Sequence, residues 1–260
     1  MNSISFNTIE ANKYFENTDT FHIMLTNKCN LHCPYCQEQH EKDFNFFTED
    51  SLWELYNKLI TLSTEYKQKK EIIFFGGEPL LKKKLILNFL KKYSANIEKN
   101  NIKISIKTNG LLLSKNFIDE YFSYPFTYFG VSLDINDSEI DNRGLKQDQI
   151  NQILDIFRYI KENKNQELYR VAIHATLSKN QIDQMYNFVK MLNIDYGIKN
   201  FLFHPLTFIA KGEKIIKWTL DDIQKVKNII FNLLSNFDFD RFTFVDEVTS
   251  KEKCRMHLGN

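Results

Sequence analysis

Short runs of β-forming residues alternate along this chain with longer stretches whose apolar positions recur at helical spacing. Strands are predicted at 21–25, 71–75, 102–107, 127–133, 169–176 and 200–204. Helices are predicted at about 49–66, 82–99, 114–122, 147–163, 181–192 and 220–236. The first helix carries Leu52, Leu55, Leu59 and Leu62 on one face, with Thr48 placed to cap it. Strict alternation of strand and helix predicts a parallel sheet with right-handed crossovers. Six β-then-α units fall two short of a complete eightfold barrel, so the expected fold is α/β, a partial (β/α)6 TIM-like barrel. Residues 1–20 form an N-terminal segment, 21–237 the barrel and 238–260 a short C-terminal extension, in which 239–245 has the pattern of a short strand.

Sites in parallel α/β folds form at the carboxyl ends of the strands. The unusual residues of this chain fall there. The first strand runs into Cys29, Cys33 and Cys36, spaced C-x3-C-x2-C. The second ends in Gly76-Gly77-Glu78-Pro79, the third in Thr108-Asn109-Gly110 and the fourth in Ser132-Leu133-Asp134. Period-two alternation puts Ser105, Lys107 and Asn109 on one face of the third strand, Ser132 and Asp134 on one face of the fourth, and Ala172, His174 and Thr176 on one face of the fifth. If those faces point inward, the interior is polar near the rim, as a cofactor and substrate cavity would be. Asp134, His174 and Lys107 are the candidates to position a substrate or accept a proton. For His174, as for His22 and His204, a satisfied interior histidine is the plainer reading.

Composition narrows the class. The 260 residues are 43% hydrophobic and 26% charged, which suits a globular chain. The formal net charge of +1 gives no support for a nucleic-acid partner. The lysines at 67–70 and 82–84 read as solvated helix faces. The first twenty residues lack a signal-peptide core, and no run approaches a membrane span, so the expected setting is the cytoplasm. Three of the four cysteines crowd into eight residues, which is not a disulfide framework but a metal or redox site.

Three thiolates on one loop leave alternatives open. An iron–sulfur cube held by three cysteines keeps one iron available for another ligand. A structural zinc would want a fourth ligand, which His32 or His40 can supply, and would make the chain a non-catalytic binding module. Cys33-Pro34-Tyr35-Cys36 also has the form of a dithiol redox motif, although that reading leaves Cys29 unused. The two glycines at 76 and 77 let a ligand approach the backbone closely, and Glu78 offers an acceptor for an ammonium.

The C-x3-C-x2-C loop followed by Gly-Gly-Glu-Pro resembles the radical S-adenosylmethionine enzymes. Val131-Ser132-Leu133-Asp134, with Asp141 and Arg143 after it, looks like their peptide- and protein-modifying branch, which includes sulfatase-maturing enzymes and peptide natural-product maturases. The resemblance covers about residues 20–210. It implies that Cys29, Cys33 and Cys36 hold a 4Fe-4S cluster. The methionine part of S-adenosylmethionine would chelate the remaining iron, and its cleavage by an electron would release a 5′-deoxyadenosyl radical that takes a substrate hydrogen. It further implies that Tyr35 meets the adenine region, that Gly76, Gly77 and Glu78 receive the methionine amine, and that Ser132 and Arg143 bind the carboxylate and ribose side. Asn109 and Leu206 join the cofactor contacts, Leu206 at the adenine.

On this resemblance the partners are a peptide or protein substrate and an electron donor such as flavodoxin or ferredoxin. Alternatives within the class are a small-molecule substrate or activation of a glycyl-radical enzyme. The branch often adds a cysteine-rich C-terminal region for auxiliary clusters. Here only Cys254 stands in that position, like the first cysteine of a truncated extension. No leader-binding domain is expected before residue 20, so a peptide would be met by the barrel itself or by a partner protein.

Overall fold

The computed structural model describes residues 20–36, 47–66, 70–135, 143–209, 214–246 and 254–258. His40, Asp141, the N-terminal segment 1–19 and lysines 67–69 lie outside the described residues.

Strands β1 (Thr20–Thr26), β2 (Lys70–Gly76), β3 (Ile102–Thr108), β4 (Thr127–Ser132), β5 (Val171–Leu177) and β6 (Asn200–Pro205) are laid side by side in chain order, all parallel. Helices α1 (Glu49–Tyr66), α2 (Lys83–Lys99), α3 (Lys115–Phe122), α4 (Gln147–Asn163) and α5 (Met185–Tyr196) make the crossovers. A two-stranded ribbon, β7 (Phe208–Ile209) with β8 (Lys214–Ile215), precedes α6 (Leu220–Asn236).

The sheet does not stop at six. β9 (Arg241–Asp246) pairs in parallel with β6, and β10 (Cys254–Leu258) pairs antiparallel with β9. The run expected to be a short strand in an extension is therefore the seventh parallel strand of the main sheet. With β1 and β10 at its two ends, the sheet forms an open partial barrel, and among the described residues no pairing joins those ends.

One strand face is apolar and packs under the helices. Ile23, Leu25, Phe74, Ile104, Ile106, Val131, Ile173, Phe203 and Phe244 are all buried there. β9 belongs to this core because Phe242 stacks on Phe201 and Phe203, at 5.8 Å from each, a contact that rewards pairing. The opposite, inner face carries Glu71, Ser105, Lys107, Ser132, His174, Thr176 and His204. Helix starts follow local chemistry. Thr48 Oγ1 accepts the Ser51 N–H, Ser114 caps α3, and Thr219 with Asp222 forms a capping box on α6. Two elements start two residues or more later than expected. A 3-10 turn, Asn165–Arg170, occupies the predicted start of β5, and another, Lys179–Gln181, delays α5 to Met185. In the first, Arg170 is buried and donates to the carbonyls of Thr127, Phe122 and Tyr124, which holds the chain in a turn before the strand begins.

Candidate active site at the strand ends

The four strand-end motifs meet at one rim. β1 is irregular between Met24 and Thr26, which turns its exit across the end of β2. There the Gly77 N–H donates to Thr26 O at 2.9 Å and the Glu78 N–H to Lys28 O at 2.7 Å. The cysteine loop is thus hydrogen-bonded to the Gly-Gly-Glu-Pro turn before any ligand is considered.

The same contact bears on the glycines. A Cβ on Gly76, whose φ is +135°, would lie 2.1 Å from Thr26 O. A Cβ on Gly77 would lie 2.2 Å from Lys28 O. What approaches the missing Cβ positions is the backbone leading into the cysteines. Only residues without a Cβ permit this contact.

Glu78 has partners within the protein as well. Its side chain is fully buried, and both carboxylate oxygens are engaged by the protein. Oε1 accepts from the Leu80 N–H (2.9 Å) and the Thr108 hydroxyl (2.7 Å), and Oε2 accepts from the Asn109 N–H (2.8 Å). Burial raises its pKa, and these three donors work against that rise. Glu78 is therefore a tie between the ends of β2 and β3. Thr108 is the partner that the sequence pattern left without a role.

Asn109 carries the tie onward. Its Nδ2 donates to Asn30 Oδ1 at 2.7 Å and lies 3.8 Å from Cys29 Sγ, while its Oδ1 accepts the Leu111 N–H. The Leu31 N–H also points at Cys29 Sγ, at 3.4 Å. Asn30 was not singled out by sequence. Its position between two cysteines was the available signal.

On the other side of the loop, Tyr35 is anchored to β4. Its hydroxyl donates to Asp134 Oδ2 at 2.5 Å. Asp134 Oδ1 accepts from Arg143 Nη2 at 3.1 Å and from the Thr176 N–H at 2.7 Å. The Arg143 guanidinium lies 5.5 Å from the centre of the Tyr35 ring. Burial, reinforced by the Asp134 charge against the opposing Arg143, holds the Tyr35 phenol well above its usual range. Asp134 is itself buried, and a guanidinium, a hydroxyl and a backbone amide surround its carboxyl group.

The remaining candidates have simpler settings. Ser132 is half-buried on the inner face, opposite His174. The His174 ring packs over Gly130, where a Cβ would come 2.7 Å from Nε2. Burial first, then the charge of Lys107, pushes His174 down to about 3, so it is neutral near pH 7. Burial also lowers the pKa of Lys107, against the pull of Glu71. Leu206 is buried just past β6, with its N–H on Leu177 O and its carbonyl accepting from Trp218.

The cysteines suit a soft, sulfur-rich metal group. None of Cys29, Cys33 and Cys36 is in a disulfide. Burial raises the Cys29 and Cys33 thiols, the latter to about 11, so a metal must displace their protons. The N–H groups of Leu31 and Asn109 at Cys29 are the kind of donors that tune cluster sulfurs. Among the described residues, no three His, Cys, Asp or Glu side chains are gathered tightly enough for a single ion.

A family model of the Radical SAM superfamily matches residues 23–189, and the chain belongs to that superfamily. Its members are enzymes that use a 4Fe-4S cluster and S-adenosylmethionine. Among curated relatives, a GTP 3′,8-cyclase of Staphylococcus haemolyticus is 30% identical over 196 residues, 69% of this chain and 53% of the relative. The chain thus spans about half the length of that protein. Among solved structures, SuiB of Streptococcus suis bound to S-adenosylmethionine is similar with a TM-score of 0.67 at 19% identity, covering 85% of this chain and 50% of SuiB. The anSMEcpe structure with bound AdoMet and a Kp18Cys peptide is similar with a TM-score of 0.59 at 20% identity, over 84% of this chain and 61% of the other. These two likenesses are likenesses of fold.

Proposed function

We propose that this chain cleaves S-adenosylmethionine reductively to a 5′-deoxyadenosyl radical and uses it to take a hydrogen atom from a peptide or protein. The observation that carries this reading is the joining of four strand-end motifs into one hydrogen-bonded rim above an open, polar barrel interior. Cys29, Cys33 and Cys36 would hold the cluster, and Asn109 and the Leu31 N–H would orient Cys29. When bound, the cluster and S-adenosylmethionine supply an electron and a carbon radical; flavodoxin or ferredoxin is the class of donor for that electron. The protein's share is positioning. Glu78 fixes the turn that backs the cysteine loop, and the Gly76-Gly77 contact sets their separation. Asp134 orients Tyr35 and Arg143 at the place where the resemblance puts the adenine and the carboxylate, with Ser132 and Leu206 beside them. Neutral His174 and desolvated Lys107 lie deeper, where a substrate side chain would be met.

A peptide substrate is favoured by the fold shared with SuiB and with the peptide-bound anSMEcpe. A second reading, a small anionic substrate, is favoured by the identity with the GTP 3′,8-cyclase. The test is anaerobic turnover with reductant and S-adenosylmethionine, with candidate precursor peptides and separately with nucleotides. A peptide whose mass changes and whose deuterium label moves into 5′-deoxyadenosine supports the first reading. Label transfer from a nucleotide alone overturns it in favour of the second.

A further inference from the structure

The inner face of the barrel holds more positive charge than its carboxylates balance. Backbone pairing sets Lys107 opposite Gly130, His174 opposite Ser132 and Leu202, and His204 opposite Thr176. Further round the sheet, Asn200 faces Arg241 and Leu202 faces Thr243. Paired residues in a parallel sheet share a face, and residues two apart on a strand share it too. Lys107, His174, His204, Arg241 and Thr243 therefore line one concave surface. The packing of His174 over Gly130 brings its ring beside the Lys107 position.

The carboxylates of this face are already committed. Asp134 is held by Tyr35, Arg143 and Thr176. Glu71 accepts from Ser105 and pairs with Lys103 at 3.6 Å. Among the described residues, neither Lys107 nor Arg241 makes an ion pair. Arg241 and His204 are exposed, so the surface is open to a ligand. A separate observation points the same way. Thr243 is only 2% exposed, yet its Oγ1 has no hydrogen-bond partner among the described residues. A buried hydroxyl left without a partner in a native fold calls for an explanation, and a bound acceptor supplies one.

We infer that Lys107, His174, His204, Arg241 and Thr243 form a subsite for an anionic group of the substrate, a carboxylate or a phosphate. The subsite rests on the reading of the barrel interior as the substrate chamber. Lys107 and Arg241 supply charge-assisted donors, the Thr243 hydroxyl a neutral one, and His174 an N–H that needs no added proton. The Tyr35–Asp134–Arg143 group above it leaves the cofactor side to the cysteine loop. The anionic group thus fixes which end of the substrate sits deep in the barrel and which is presented at the rim.

Calorimetric titration of the full chain with tripolyphosphate, and separately with a triglutamate peptide, tests this without any S-adenosylmethionine chemistry. At least one probe should bind saturably and more weakly as salt rises. Lys107→Met and Arg241→Gln should each weaken it about tenfold, the loss of one charge-assisted bond. His204→Gln, at an exposed position, should also weaken it while leaving the core intact, and Lys225→Gln on α6 should change nothing. Binding of tripolyphosphate alone assigns the group as a phosphate, binding of triglutamate alone as a carboxylate, and either supports the subsite. No saturable binding, or equal affinity in wild type, His204→Gln and folded Lys107→Met, would overturn it. Because neither probe is turned over, failure to release 5′-deoxyadenosine strikes the proposed function and leaves this result standing.

Discussion

Glu78 does the most at the rim for a single side chain. It satisfies three donors from two strand ends, in a place with no water to replace it. Glu78→Ala leaves those donors buried and unmet, at about 1–3 kcal/mol each. The expected loss is about 3–5 kcal/mol in denaturant unfolding, with less iron bound after reconstitution. Nothing in Gly-Gly-Glu-Pro announces this, because the partners Thr108 and Asn109 are 30 residues or more away. His174 gives a second residue-scale prediction. Its folded pKa, about 3, lies below the ordinary histidine value of 6.5. Between those values the unfolded chain binds a proton that the folded chain refuses, so stability falls as pH drops through this window. Urea midpoints measured from pH 7 to pH 4 should decline, and His174→Gln should decline less steeply. An identical slope in the variant would remove His174 as a source.

Among the elements, those with long amphipathic periods or clean β-former runs were legible in sequence, because burial of one face dictates the pattern. The six strands and their crossover helices follow from it. β9 was half legible. Its alternation of Phe242, Thr243 and Phe244 reads as a strand, but its parallel pairing with β6 and the stacking on Phe201 and Phe203 are long-range contacts that local sequence does not show. The strand-end motifs were legible as chemistry and illegible as architecture. The glycine contacts with Thr26 and Lys28 are long-range backbone geometry, which local sequence does not encode. They yield a prediction for the β2 turn: Gly77→Ala places a Cβ within 2.2 Å of Lys28 O and must push the cysteine loop away. Iron content should fall by half or more, as an order-of-magnitude expectation, with stability lowered by about 1–3 kcal/mol. Unchanged iron content would mean that the loop's position does not depend on the turn.

At the scale of the molecule, the open sheet sets an apolar outer face against helices and turns a polar inner face toward a chamber. The rim above that chamber is tied together by Glu78 on one side of the cysteine loop and Asp134 on the other. No helix among the described residues is long and apolar enough to cross a membrane. In the function proposed above, this rim holds a cluster with three cysteines and makes a radical from S-adenosylmethionine. The direct measurement is anaerobic reconstitution with iron and sulfide, followed by reduction in the presence of S-adenosylmethionine, for wild type and Cys29→Ala. About four irons per chain are expected in the wild type, with release of 5′-deoxyadenosine, and loss of both in Cys29→Ala. Stoichiometric zinc without cleavage of S-adenosylmethionine, or activity that survives Cys29→Ala, would contradict that function.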